Sequence, residues 1–464
     1  MRYRRCMLHP TTTHALHHRL ARAQADGRAP SMAGAVTRDG QVAWCHAIEA
    51  TPDTQYRIGS LTKTFVAVLV MRLRDEGLVD LADPLERHIG GTAIGALTIG
   101  QLLSHTSGLA SEAPGPWWER TPGDLRPTLD HVLGEEPSVH PPGRRFHYSN
   151  PGYALLGALV EKLRQKPWGE VLQQEILDPL EMARTSLAPR PPHARGFAVH
   201  PWADVLMPEV VEDVGLMAPA GQLWSTVEDL CRFATLLTSG VDGVLSADTV
   251  AEMRAPHAAP EAASWDMSYG LGLQICRAGG RVLSGHTGSM PGFLCALWVD
   301  PDEHLGAVAL ANTTSGVPIG PLVADLVGIV ADREPRIPEP WRPLAELDAA
   351  ALELTGPWYW GPAGYAIKLH ARGVLELCPL SGAGRGARFR PGPDGTWIGL
   401  SGYFCGEALR PGRDAATGRL THLDIGTFVF TREPYDPDAP VPGGVDPGGW
   451  RPGGAGGPGG AGGG

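Results

Sequence analysis

The sequence predicts an α+β protein: an antiparallel sheet flanked by helices, with a mostly helical subdomain and a small C-terminal all-β domain. Three observations carry this. Short apolar runs with turn signals between them stand near the start of the chain and return after Tyr269. Helical spacing of apolar residues fills the stretch between them. A second set of short strand-like segments follows a proline-rich linker.

In order, residues 1–30 read as a basic helical lead-in, with His14, His17 and His18 on a polar face. Met32 to Ile48 reads as a β-hairpin, with Asp39-Gly40 as its tight turn. Tyr56 to Gly77 reads as a helix: Phe65, Val68, Leu69 and Leu73 recur at helical spacing, and Ser60 is placed to cap its start. Tyr153 to Lys162 and Thr226 to Leu237 are the clearest amphipathic helices of the middle. Arg281 to Leu283, Leu294 to Val299 and Gly306 to Leu310 read as strands, with a turn over Asp300 to Glu303. An apolar helix over Pro318 to Asp332 closes the first domain, 31–333.

Residues 334–344, with Pro335 to Pro343 at their centre, read as a stiff linker. Residues 345–434 hold strand-like pieces such as Tyr365 to His370, Val374 to Cys378, Thr396 to Leu400 and Thr427 to Thr431, as in a sandwich or barrel. Residues 435–464 are dominated by Gly and Pro, a composition expected to be disordered.

The chain has 464 residues, 43% hydrophobic and 19% charged, with a net charge of −11. That charge argues against nucleic acid and anionic membranes as partners and suits small neutral or polar molecules. No segment has the length and apolarity of a transmembrane helix, and the basic N-terminus lacks the apolar core of an export signal. The seven cysteines are scattered without a C-x-x-C pair, as expected of reduced thiols in a cytoplasmic protein. The histidines form no H-E-x-x-H, so neither a metal nor another cofactor is called for.

Ser60-Leu61-Thr62-Lys63 places a hydroxyl and an amine three residues apart, on one face of a helix. A desolvated lysine can accept the serine proton, and the helix N-terminus favours an oxyanion nearby. For the tetrad alone, a capping serine followed by a solvated lysine is the better account. Tyr148-Ser149-Asn150 lies on a loop before Pro151-Gly152 and a helix. A phenol beside a lysine ammonium can lose its proton at moderate pH and relay protons. Asn150 can hold a substrate carbonyl and help orient the lysine. His286-Thr287-Gly288 is extended and precedes Ser289, whose backbone N–H could join that of Ser60 in an oxyanion hole. Gly288 would let a substrate backbone approach.

Together, in this order, these boxes resemble the S-x-x-K, Y-x-N and K/H-T-G motifs of serine β-lactamases and penicillin-binding proteins. The likeness is to the class C side, which includes D-alanyl-D-alanine carboxypeptidases, D-aminopeptidases and family VIII carboxylesterases. It covers about Ser31 to Asp332 and extends to the flanking strings Leu102 to Leu109, Phe146 to Tyr153, Gly221 to Thr226 and Gly285 to Gly292.

The resemblance implies a β-lactamase/transpeptidase-like fold and a serine hydrolase working through an acyl-enzyme on Ser60. Lys63 and Tyr148 would share the general-base work. Asn150, His286, Thr287 and Gly288 would bind substrate, and the Ser60 and Ser289 amides would hold the oxyanion. His105 would support the fold near the site. His286 stands where β-lactamases and carboxypeptidases usually carry Lys, and a histidine near neutral pH is charged only in part. A small ester or amide is therefore the expected substrate. D-amino-acid peptides, D-Ala-D-Ala ends, a weak β-lactamase activity and a silent ligand- or partner-binding relative are the alternatives.

Overall fold

The computed structural model describes residues 8–434, apart from 93, 122–126, 260–265, 347, 372 and 383. The Gly/Pro-rich tail over 435–464 lies outside the described residues. The chain divides into two compact units, Met1–Ile337 and Pro338–Gly464. Among the described residues no helix is long and apolar enough to cross a membrane, and no disulfide joins the cysteines.

The first unit is built on a seven-stranded antiparallel sheet. Its strands are β1 (Met32–Arg38), β2 (Gln41–Ile48), β3 (Met267–Tyr269), β4 (Gln274–Ala278), β5 (Arg281–Met290), β6 (Phe293–Asp300) and β7 (Leu305–Ala311). They lie in the order β2-β1-β7-β6-β5-β4-β3, so the N-terminal hairpin pairs with the last strand. Asp39 and Gly40, both with positive φ, make the hairpin turn.

Both faces of the sheet are covered, and the pleat sorts side chains between them. From β6 and β7, Ala296, Trp298, Ala307 and Ala309 join a core with Leu16 and Leu20 of α1 (Pro10–Gly27), and with Leu322 and Leu326 of the C-terminal helix Ile319–Arg333. Leu297, Val299, Val308 and Leu310 point the other way, into a larger core with Phe65 and Phe233. Phe65 belongs to α2 (Thr62–Asp75), and the helical subdomain adds α3 (Asn150–Arg164) and α4 (Val227–Ser239). Thr226 caps α4 through its hydroxyl, as Ser149 caps α3.

The helix expected from Tyr56 starts later. Tyr56-Arg57 pairs instead as a short ladder with Trp224-Ser225. Gly59 takes a positive φ, and a 3₁₀ turn over Gly59–Leu61 leads into α2. Ser60 therefore does not cap the helix: the first turn has no side-chain cap, and the Ser60 hydroxyl is left to Lys63.

The second unit closes as a barrel rather than a sandwich. Its eight strands run from Gly356–Trp360 to Phe428–Thr431, and the last pairs with the first at Tyr359 and Thr431. Trp358 fills its core, fully buried, with Nε1 donating to Leu354 O at 2.7 Å and the Arg432 guanidinium stacked 3.9 Å from the ring. Trp358→Ala is expected to lower the stability of the barrel by about 3–5 kcal/mol. Denaturant unfolding followed by barrel-specific tryptophan emission checks this. A change under about 1 kcal/mol would mean that Trp358 does not hold the core together.

Candidate active site

The site forms where the turn into α2 meets β5. A Cβ on Gly288 would sit 2.0 Å from Ile58 O and 3.1 Å from Ser60 N. A Cβ on Gly59 would sit 2.6 Å from Ser289 N. The two backbones thus touch, and only glycine fits at either contact. The space that Gly288 opens is filled by the chain itself, not left for a substrate backbone as its sequence context suggests. Gly221 to Ser225 braces the turn from the other side: Ile58 N donates to Leu223 O at 2.8 Å and Leu223 N donates to Thr62 Oγ1 at 3.2 Å. Gln222 Oε1 accepts from the buried Arg57 at 2.9 Å.

Lys63 is fully buried, with Nζ 3.1 Å from Ser60 Oγ and 2.6 Å from Ala220 O. Burial pulls its pKa down to about 7, against the opposing pull of Glu112 and Glu119. At neutral pH much of this amine is therefore uncharged, with a lone pair beside the serine proton. Tyr148 lies over it, 5.0 Å from ring centroid to Nζ. The phenol oxygen is buried near Ser60, close enough for the hydroxyl to lower its pKa somewhat, but it has no partner in hydrogen-bonding geometry among the described residues. Burial dominates and raises the Tyr148 pKa. The resting phenol keeps its proton, contrary to the loss at moderate pH that its neighbourhood suggests.

Asn150 does not orient Lys63 by a hydrogen bond. Its Nδ2 donates to Glu112 Oε1 at 2.8 Å, and its Oδ1 is buried without a partner among the described residues. Glu112 also accepts from Trp118 Nε1 at 2.7 Å, and Glu119 accepts from Trp117 Nε1 at 3.0 Å. Two carboxylates thus stand within electrostatic range of Lys63. Neither is marked in the sequence, because a glutamate outside any periodic segment carries no pattern that sets it apart.

His286 is buried and not partly charged as expected. Burial, and then the positive Lys63, lower its pKa to about 3. Its Nδ1–H donates to Thr287 O, leaving Nε2 to accept from Tyr269 O–H at 3.0 Å. Thr287 N and Oγ1 both donate to Gln274 Oε1, at 3.0 and 3.1 Å. The side chains of this box are committed within the protein. Ser60, Lys63, Tyr148, Asn150, His286 and the Gly288-Ser289 backbone are brought together, with Thr287 turned towards β4 and Gly320.

The family model described as Beta-lactamase matches residues 16–332. The chain belongs to the Beta-lactamase family. A second model, a domain of unknown function (DUF7586), matches residues 347–432, the barrel. Protein flp of Staphylococcus aureus (strain NCTC 8325 / PS 47) is 24% identical to this Beta-lactamase family member over 285 residues, 58% of this chain and 55% of the relative. The alignment thus spans about half the length of that curated relative. Among solved structures, the octameric penicillin-binding protein homologue from Pyrococcus abyssi is similar at a TM-score of 0.61 and 22% identity. The match covers 90% of this chain and 99% of that one. A D-stereospecific amidohydrolase from Streptomyces sp. is similar at a TM-score of 0.58 and 26% identity, covering 70% and 99%. The β-lactamase/penicillin-binding-protein fold follows from these, with the barrel appended.

Proposed function

We propose that this Beta-lactamase family member is a serine hydrolase that cleaves small amides or esters through an acyl-enzyme on Ser60. The observation that carries the reading is the buried Lys63 amine, poised near pH 7 and 3.1 Å from the Ser60 hydroxyl. Neutral Lys63 takes the Ser60 proton as Oγ attacks the substrate carbonyl carbon. The carbonyl oxygen becomes an oxyanion facing the Ser60 and Ser289 amides. Tyr148 O–H gives its proton to the departing amine or alcohol and is refilled from the Lys63 ammonium. Water then attacks the acyl-enzyme with the same groups acting in reverse, and Ser60 Oγ leaves with its proton restored.

The electrostatics favour a substrate with a positive end. The buried neutral His286 offers no cation for a substrate carboxylate, which counts against D-Ala-D-Ala ends and β-lactams. Glu112, held by Asn150 and Trp118, with Glu119 behind it, suits an ammonium near the scissile bond. An aminoacyl amide or ester meets that description. The likeness to a D-stereospecific amidohydrolase supports testing the D-configuration first.

The test compares D- and L-aminoacyl p-nitroanilides with their N-acetyl forms, alongside a short-chain p-nitrophenyl ester and a chromogenic cephalosporin. A free amine is expected to raise kcat/KM by roughly 10-fold or more over the acetylated partner, and Glu112→Gln to narrow that ratio. Equal rates for free and acetylated substrates would remove the ammonium preference and leave the ester reading. No reaction with any of them would overturn both.

A further inference from the structure

His105 packs directly on Tyr148, one of the groups proposed to move protons. It is fully buried and holds a left-handed backbone, φ +56°, a conformation that histidine tolerates better than most residues other than glycine. From that position it grips the chain on both sides of Tyr148. Its carbonyl accepts from His147 N at 2.8 Å, and its Nδ1 accepts from Ser149 N at 3.0 Å. Between these anchors its ring lies on the Tyr148 ring, 4.1 Å between centroids and tilted by 33°. The ring also meets Tyr269, edge-on at 4.7 Å, which holds His286, and Tyr153 at 5.1 Å.

Acceptance at Nδ1 fixes the tautomer, because the ring proton must then sit on Nε2. Nε2 is buried and has no partner among the described residues. A buried donor left unpaired is a cost that simple packing would avoid, since an apolar ring would fill the same space. What an apolar ring cannot do is take the Ser149 amide.

We propose that His105 is the positioning residue for Tyr148, a three-point clamp that keeps the phenol hydroxyl beside Ser60. The proposal rests on the Ser60 acyl-enzyme reading above. His105 acts through Tyr148 and not on Ser60 or a substrate atom. It acts by fixing the backbone on either side of Tyr148 and the plane of its ring, so that the proton relay needs no rearrangement during acylation.

Two substitutions separate the parts of the clamp. His105→Phe keeps the ring and removes the acceptor, whereas His105→Asn keeps a polar acceptor and removes the ring face. Each is assayed as the full chain, after thermal melting shows which variant is folded, by the rate of Ser60 acylation with a D-aminoacyl p-nitroanilide, whose departing amine takes the Tyr148 proton. We expect the limiting rate to fall by roughly 10-fold in each, with the half-saturating substrate concentration changed less than about two-fold. In a Tyr148→Phe background the same substitutions should slow acylation no further, because the group they position is gone.

A folded variant that acylates within about two-fold of wild type would overturn the proposal. So would an equal loss in the Tyr148→Phe background, which is the signature of general support to the fold. If one variant does not fold, the other carries both measurements. Full turnover by Ser60→Ala would instead sink the acyl-enzyme reading itself, whatever His105 does.

Discussion

A Ser60→Ala variant is expected to take up no fluorophosphonate and to lose turnover of amides and esters by on the order of 10⁴-fold or more. The neighbouring aliphatic hydroxyls are engaged elsewhere, and burial holds the Tyr148 phenol in its protonated form. Thr62 Oγ1 accepts from Leu223 N, Thr64 Oγ1 donates to Gly272 O, and Ser149 Oγ donates to Ala110 O. Each is tied to backbone, whereas the Lys63 amine is shared between Ser60 Oγ and Ala220 O. The fold should survive the change. Ser60 caps no helix, and its side-chain hydrogen bond is the one with Lys63. Stability within about 1 kcal/mol of wild type is therefore expected from thermal melts run beside the labelling assay. A folded variant with full turnover would remove Ser60 as the nucleophile.

Much of the fold could be read from the sequence because its signals are local. Asp39-Gly40 between two apolar runs dictates a tight hairpin, and apolar residues at helical spacing place α3 and α4 to within a few residues. What escaped depends on distant partners. The ladder of Tyr56-Arg57 with Trp224-Ser225 is two residues long, too short to show any period, so its first strand merges with the helix that follows. Closure of the barrel rests on the meeting of Tyr359 with Thr431, which no single segment encodes.

The site divides in the same way. Ser60 and Lys63 are three apart on one chain segment, so their contact follows from local geometry. The bond between Tyr269 and His286 exists only because register places Tyr269 against Gln274, and Gln274 against Gly285. Once those pairings are fixed, the histidine is buried beneath a phenol and its charge is lost. Glu112 reaches Asn150 across a loop with no regular structure. There the sequence has no period to follow, and the consequence for substrate charge became visible only from the fold.

Lys63→Met should lower the limiting acylation rate by about 10²–10⁴-fold, the usual worth of a general base. The pH dependence gives the sharper test. Wild-type acylation is expected to rise through about pH 7, as the buried amine loses its proton, and to level off above it. The methionine variant should show no such rise. The same shift affects stability, with a sign that can be worked out. Folding holds Lys63 near 7, whereas in the unfolded chain it titrates near its ordinary 10.5. Between those values the unfolded state binds the extra proton, so raising the pH stabilises the folded enzyme. Below about pH 7 both states are protonated, and the folded state bears the full cost of a buried charge. The stability of wild type relative to Lys63→Met should therefore climb from pH 7 towards pH 10, by on the order of a few kcal/mol. Groups common to both proteins cancel in that difference, which denaturant melts at three or four pH values would measure. A flat difference together with a pH-independent rate would mean that Lys63 stays charged throughout. The proton of Ser60 would then have to leave by way of Tyr148 alone, a phenol that burial holds in its protonated form.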